Sequence, residues 1–137
     1  MKCNDTDVNT YNKEITENDK KFLAKVVDVT YRIMSSGNIS CEMVAEELNI
    51  TSRQLNRKIT ALTGENSSVY ITSIRLNRAI KMLDSRPELM INEIAYMCGF
   101  EDNAYFSRIF KKHFGITPSQ HRKTPPIQKE ERGNTDI

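Results

Sequence analysis

Two stretches of this chain repeat one pattern, and the repeat limits the fold more than any other feature: VAEELNITSRQLNRKITALTG from Val44 and IAYMCGFEDNAYFSRIFKKHFG from Ile94. Ala45 matches Ala95, and Asn49-Ile50 matches Gly99-Phe100, at an offset of 50. After one inserted residue, Leu55 matches Phe106, Arg57 matches Arg108, Ile59 matches Phe110 and Gly64 matches Gly115, at an offset of 51. The apolar spacing makes each copy a short helix, a tight turn and a second helix of about three turns. The turn needs a residue tolerant of positive φ, and Asn and Gly supply it best. Ala45 and Ala95 are small, as two closely crossing helices require, and Ile50 or Phe100 plugs the pair from one end. A plain helical hairpin used for packing explains one copy. Two copies sharing turn chemistry and an outward Arg point to a pair of helix-turn-helix units.

The rest of the chain fits around these units. Residues 1–17 are polar and irregular and read as a flexible tail. Asn18 or Asp19 can cap an N-terminal helix within 18–37, with Phe22, Val26, Val29 and Ile33 at helical spacing beside Leu23, Val27 and Met34. The first helix-turn-helix subdomain is expected over 38–65: Ser40 opens its first helix, and Thr51 with Gln54 forms a capping box before the second. A long linker helix within 66–86 follows, opening at Ser67 or Ser68. Its core stripe is Ile71, Ile74, Leu76, Ala79, Ile80 and Leu83, with Arg75, Arg78 and Lys81 on another face, and Pro87 bars its continuation. The second subdomain is expected over 87–124, with Asp102 capping the helix of Phe106, Ile109, Phe110 and Phe114. Thr117-Pro118-Ser119-Gln120 opens a short last helix, and 125–137 reads as a disordered tail. The expected fold is therefore all-α, two helix-turn-helix subdomains joined by a long linker helix, with an extra helix at the N-terminus.

Composition removes several function classes. No run approaches the roughly 18 consecutive apolar residues of a membrane span, so a soluble, cytoplasmic chain without membrane contact is expected. Cys3, Cys41 and Cys98 are odd in number and far apart, which argues against a disulfide framework, and Cys41 and Cys98 fall in apolar helical patterns as core residues. His113 and His121 have no Cys or carboxylate at metal-ligand spacing, and no glycine-rich phosphate loop or nucleophile motif occurs, so neither enzyme, cofactor nor metal is expected. Glu42, Glu46 and Glu47 share a short helix and read as solvated. The net charge is only +2, but from Asn103 to Lys123 the chain carries Arg108, Lys111, Lys112, Arg122 and Lys123 and no acid. Such a stretch favours a polyanionic partner.

The segment INEIAYMCGFEDNAYFSRIFKKHFGITPSQHRK, from Ile91 to Lys123, resembles the signature of the AraC/XylS family of transcription activators. The upstream unit and the Arg75-Leu76-Asn77-Arg78-Ala79 linker fit that family's first half, so the resemblance runs from about Ser40 to Lys123. It implies seven helices that read double-stranded DNA. His121 and Met90 depart from the pattern, standing where an aromatic and a capping Ser are more usual. SRQLNRKITALTG and the extra N-terminal helix resemble the variant that ends hybrid two-component sensors of gut Bacteroidetes, which implies an upstream sensor or receiver segment in a longer parent. RNA polymerase is a further partner that the family implies.

In a helix-turn-helix the second helix enters the major groove and its N-terminal residues reach base edges. With Leu55 and Ile59 inward, the base-facing set of the first unit is Arg53, Asn56 and Arg57. With Phe106 and Phe110 inward, that of the second is Asn103, Ala104, Ser107 and Arg108. Carrying over the family's base-contacting positions gives the same residues. Lys58, Lys111, Lys112, Arg122 and Lys123 suit phosphates, as do the N–H groups after Ser40 and Thr117. Arg75 could instead bridge the two lobes. Two such readers would meet one DNA face about one helical turn, roughly 34 Å, apart on an asymmetric site. The competing function is a helical protein-interaction module that does not bind DNA.

Overall fold

The computed structural model describes residues 16–37 and 39–123. Residues 1–15, 38 and 124–137 lie outside the described residues, and with them Cys3, most of the expected N-terminal tail, the end of the second subdomain at Thr124 and the whole expected tail 125–137. Among those described there are seven helices and no strand: α1 (Glu17–Met34), α2 (Cys41–Glu47), α3 (Ser52–Thr63), α4 (Ser67–Ser85), α5 (Ile91–Met97), α6 (Asn103–Phe114) and α7 (Pro118–Lys123). They form two compact units, one holding 16–33 and 39–74, the other 34–37 and 75–123. The division falls inside α4.

The first unit has an aliphatic core. Val26 and Val29 of α1, Val44 and Ala45 of α2, Leu55 and Ile59 of α3, and Ile71 and Ile74 of α4 form one buried cluster. In α1 the apolar spacing also encloses Thr30, which is wholly buried although polar. The helix starts two or three residues earlier than a cap at Asn18 or Asp19 would give. Thr16 is its cap: Asp19 N–H donates to Thr16 Oγ1 at 3.1 Å, and Thr16 N–H donates to Asp19 Oδ2 at 3.1 Å. Asp19 thus serves as the third residue of a reciprocal box rather than as the cap.

The second unit has an aromatic core built on Leu76, Ala79, Met82 and Leu83 of α4, with Ile94, Ala95 and Cys98. Phe100, Phe106 and Phe110 are buried in a row, with ring centroids 5.1 Å and 5.6 Å apart, and Phe114 continues it 4.6 Å beyond Phe110. Burial away from water pushes the Cys98 thiol up to about 11, as expected for an inert core cysteine.

Each short helix ends in the same hydrogen-bonded turn. In the first unit, Asn49 N–H donates to Glu46 O and Ile50 N–H to Ala45 O, both at 3.0 Å. In the second, Gly99 N–H donates to Tyr96 O and Phe100 N–H to Ala95 O, both at 2.9 Å. Nested bonds of this kind make a Schellman motif, whose middle residue must be left-handed. Asn49 has φ 62° and Gly99 φ 89°, and Asn49 is the sole non-glycine with positive φ among the described residues. Ala45 and Ala95, each 1% exposed, sit where the second helix crosses. The turn chemistry therefore fixes the direction in which α3 and α6 leave their units.

Candidate nucleic-acid interface

The recognition helices are oriented by what they bury. On α3, Leu55 and Ile59 are fully buried, and steps of about 100° per residue turn Arg53, Arg57 and Thr60, all exposed, to the opposite side. The Thr51–Gln54 box fixes the start of this helix: Gln54 N–H donates to Thr51 Oγ1 at 3.0 Å, and Thr51 N–H to Gln54 Oε1 at 2.9 Å. Neither α3 (SRQLNRKITALT) nor α6 (NAYFSRIFKKHF) contains a carboxylate. The nearest carboxylates come from outside these helices: Asp19, Asp28 and Glu47 line the groove that Arg57 also lines, and Asp102 caps α6.

Two residues of α3 are engaged elsewhere. Asn56 lies on the flank, where its Oδ1 accepts from Ser67 N–H at 2.9 Å and from the Ser67 hydroxyl at 3.4 Å. Asn66 Oδ1 accepts from Val69 N–H at 2.9 Å, so Asn56 and Asn66 each satisfy one of the opening N–H groups of α4. A bidentate grip on adenine needs both the amide oxygen and nitrogen, and the oxygen of Asn56 is already spent. Lys58 turns toward α1, with Nζ 4.8 Å from the centroid of the Phe22 ring. It makes a cation–π contact inside the first unit.

On α6, Asp102 Oδ1 accepts from Ala104 N–H at 2.9 Å and Tyr105 N–H at 3.1 Å, which sets the first turn. Phe106 and Phe110 face inward, leaving Asn103, Ala104, Arg108, Lys111 and Lys112 exposed, while Ser107 is half-buried. Tyr105, which the sequence reading omits, is 41% exposed on the same side, and the Arg108 guanidinium lies over its ring at 5.4 Å. The available signal was its position three residues before Arg108. Lys111, Lys112 and His113 also lie in the last turn of α6, where positive charge complements the helix dipole.

Arg122 and Thr117 have partners within the second unit, as does Arg75. Arg122, expected at a phosphate, is a staple: Nη1 donates to Leu89 O at 2.5 Å, and Nη2 to Arg86 O at 3.0 Å and Leu83 O at 3.4 Å. Leu83 O lies in the last turn of α4 and Arg86 O and Leu89 O in the connection to α5, so Arg122 ties that connection to α7. Thr117 N–H donates to Gln120 Oε1 at 2.9 Å and the Thr117 hydroxyl oxygen accepts from Gln120 N–H at 3.1 Å, a reciprocal box that engages both backbone donors. Lys123 closes α7 and is exposed. Arg75, half-buried, donates from Nε to Cys98 O at 3.0 Å and from Nη2 to Gly99 O at 2.6 Å. Its guanidinium also stacks 3.9 Å from the Phe100 centroid. Burial pulls its pKa below the usual arginine value. These bonds make it a clamp on the second turn.

The two departures noted in the sequence have local partners. His121 Nε2 lies 2.8 Å from Asp84 Oδ1 and its ring meets Phe110 edge-on, so the imidazole keeps an aromatic's packing and adds a polar link. Met90 supplies no side-chain cap, yet Glu93 Oε1 accepts from its N–H at 2.7 Å, half of a capping box. No helix among the described residues is long and apolar enough to cross a membrane.

A family profile described as "Helix-turn-helix domain" matches residues 44–124. The chain is 34% identical over 103 residues to the transcriptional regulatory protein YesN of Bacillus subtilis (strain 168), covering 74% of this chain and 28% of that one. It is 32% identical over 108 residues to histidine kinase P4 of Formosa agariphila, covering 79% of this chain and 8% of the kinase. It thus spans less than a third of either relative. Its fold is similar to the C-terminal domain of AraT, a response regulator from Geobacillus stearothermophilus, with TM-score 0.66, 31% identity, and coverage of 82% of this chain and 88% of that one. Paired Schellman turns, acid-free second helices and these matches agree: the chain belongs to the AraC/XylS family of helix-turn-helix transcription regulators.

Proposed function

We propose that this chain binds a specific double-stranded DNA sequence and regulates transcription, with α3 and α6 each entering a major-groove segment. Arg53 and Arg57 are the base readers of the first unit, Asn56 keeping only its amide NH2 for a single bond. Arg108 is the main reader of the second, flanked by Asn103 and Ala104, with Ser107 at the edge. Lys111, Lys112 and Lys123 take phosphates. The observation that carries this reading is that each buried stripe turns an acid-free face with Arg outward at the position a groove-reading helix uses. The family relation supports activation through contact with RNA polymerase, and the similarity to a histidine kinase supports a longer parent with a sensing segment. No catalytic role is assigned.

Arg53→Ala should lose roughly 1–3 kcal/mol of discrimination at one base pair while binding to random duplex hardly changes. Lys111→Ala should weaken binding to every sequence and reduce the slope of log affinity against log salt by about one. Titrating both variants against selected and random duplexes at several salt concentrations checks the pair. Equal losses on both duplexes for both variants would remove the division between readers and phosphate anchors. Binding without any salt dependence would favour the protein-interaction module instead.

A further inference from the structure

Four groups of the second unit stack in series from its interior to its surface. Arg75 is fixed by hydrogen bonds to two successive carbonyls, Cys98 O and Gly99 O, and its guanidinium covers the buried Phe100 ring at 3.9 Å. The Tyr105 ring lies 6.5 Å from Phe100, tilted by 48°. Arg108 then sits over Tyr105, 5.4 Å from its centroid. Cation, ring, ring and cation follow one another, and the inner end cannot shift without breaking both bonds of Arg75.

The geometry points to Tyr105 as a positioning residue whose ring, backed by Phe100 and Arg75, holds Arg108 in place before DNA arrives. The inference rests on the reading of Arg108 as a base contact and extends it to how that contact is prepared. An exposed Arg samples many rotamers, and freezing them on binding costs affinity; a guanidinium already held over an aromatic face has lost part of that freedom. The first unit provides an internal contrast. At the place matching Tyr105 it has Gln54, whose oxygen is bound to Thr51 N–H. Arg57 has no ring there to rest on. The two units therefore differ in preparation: a ring backs the reader of one and not that of the other.

The test uses the full 137-residue chain. Side-chain Nε–H relaxation, measured by NMR without DNA, should show Arg108 more ordered than Arg57. Tyr105→Leu should bring Arg108 down to the level of Arg57, and Tyr105→Phe should leave it unchanged. On a duplex selected from a random pool, Tyr105→Leu should weaken binding about three- to tenfold, Tyr105→Phe should bind as wild type, and Tyr105→Leu should add no loss in an Arg108→Ala background. Arg108 as mobile as Arg57 in the wild type would overturn the positioning role. So would additive losses, or a Tyr105→Phe loss as large as that of Tyr105→Leu, which would place the hydroxyl itself on DNA. If ordering is seen but Arg108→Ala binds DNA as well as wild type, the base-reading role of Arg108 fails, and positioning for that purpose with it.

Discussion

Phe106→Ala should cost about 3–5 kcal/mol of stability, the usual loss when a buried aromatic is cut to a methyl group. Phe106 is fully buried, with Phe100 5.1 Å away on one side and Phe110 5.6 Å away on the other. It therefore joins the turn to the middle of α6, and its removal leaves a cavity that two stiff rings cannot collapse to fill. Against a total stability of roughly 5–15 kcal/mol for a small domain, the loss is large enough to empty much of the folded state at moderate temperature. Urea unfolding checks it: the midpoint should fall sharply with little change of slope. A loss under about 1 kcal/mol, the scale of an ordinary surface substitution, would mean that the aromatic row does not carry the second unit.

Arg75→Ala should have the second-largest effect, about 2–4 kcal/mol, although the residue is charged and touches no other charged side chain in the bonds described. The change leaves Cys98 O and Gly99 O without the guanidinium and uncovers one face of Phe100. The cost of burying the cation, visible in its lowered pKa, is recovered in the variant and keeps the net loss below the sum of the bonds. Arg75→Lys should restore little, because an ammonium cannot reach two successive carbonyls in a fork or lie flat on a ring. Thermal unfolding gives the size of the effect, and amide exchange gives its place: Gly99 and Phe100 should lose protection first. Wild-type stability with unchanged exchange at those amides would remove Arg75 as the clamp of the turn.

What the sequence revealed and what it hid divide by distance along the chain. The Asn49 and Gly99 turns, the Thr51–Gln54 and Thr117–Gln120 boxes and the Asp102 cap all involve partners within a few residues, so side-chain type and spacing suffice to read them. The buried stripes of α3 and α6 are legible for the same reason. Asn56 reaches Ser67 across 11 residues, Arg75 reaches the turn across 23 and 24, and Arg122 reaches back 33 to 39. Periodicity carries no record of such partners, and an Arg bound to carbonyls looks in sequence like an Arg available to phosphate. The start of α1 is ambiguous in sequence for a different reason: Asp19 suits both the cap and the third residue of a box, and only the Thr16 hydroxyl decides between them. The contact of Lys58 with Phe22 is hidden likewise, since Phe22 lies on a helix outside the repeat. The proposed site is narrower than the sequence suggests: Arg53, Arg57 and Arg108 are its readers in this proposal, with Tyr105 added.

The most direct test selects bound duplexes from a random pool with the wild-type chain and with Arg57→Ala and Arg108→Ala. Two unlike blocks of preferred sequence should emerge, each variant erasing one block and sparing the other. A pool that shows no preference, or two variants that erase the same block, would contradict the assignment of one DNA reader to each unit.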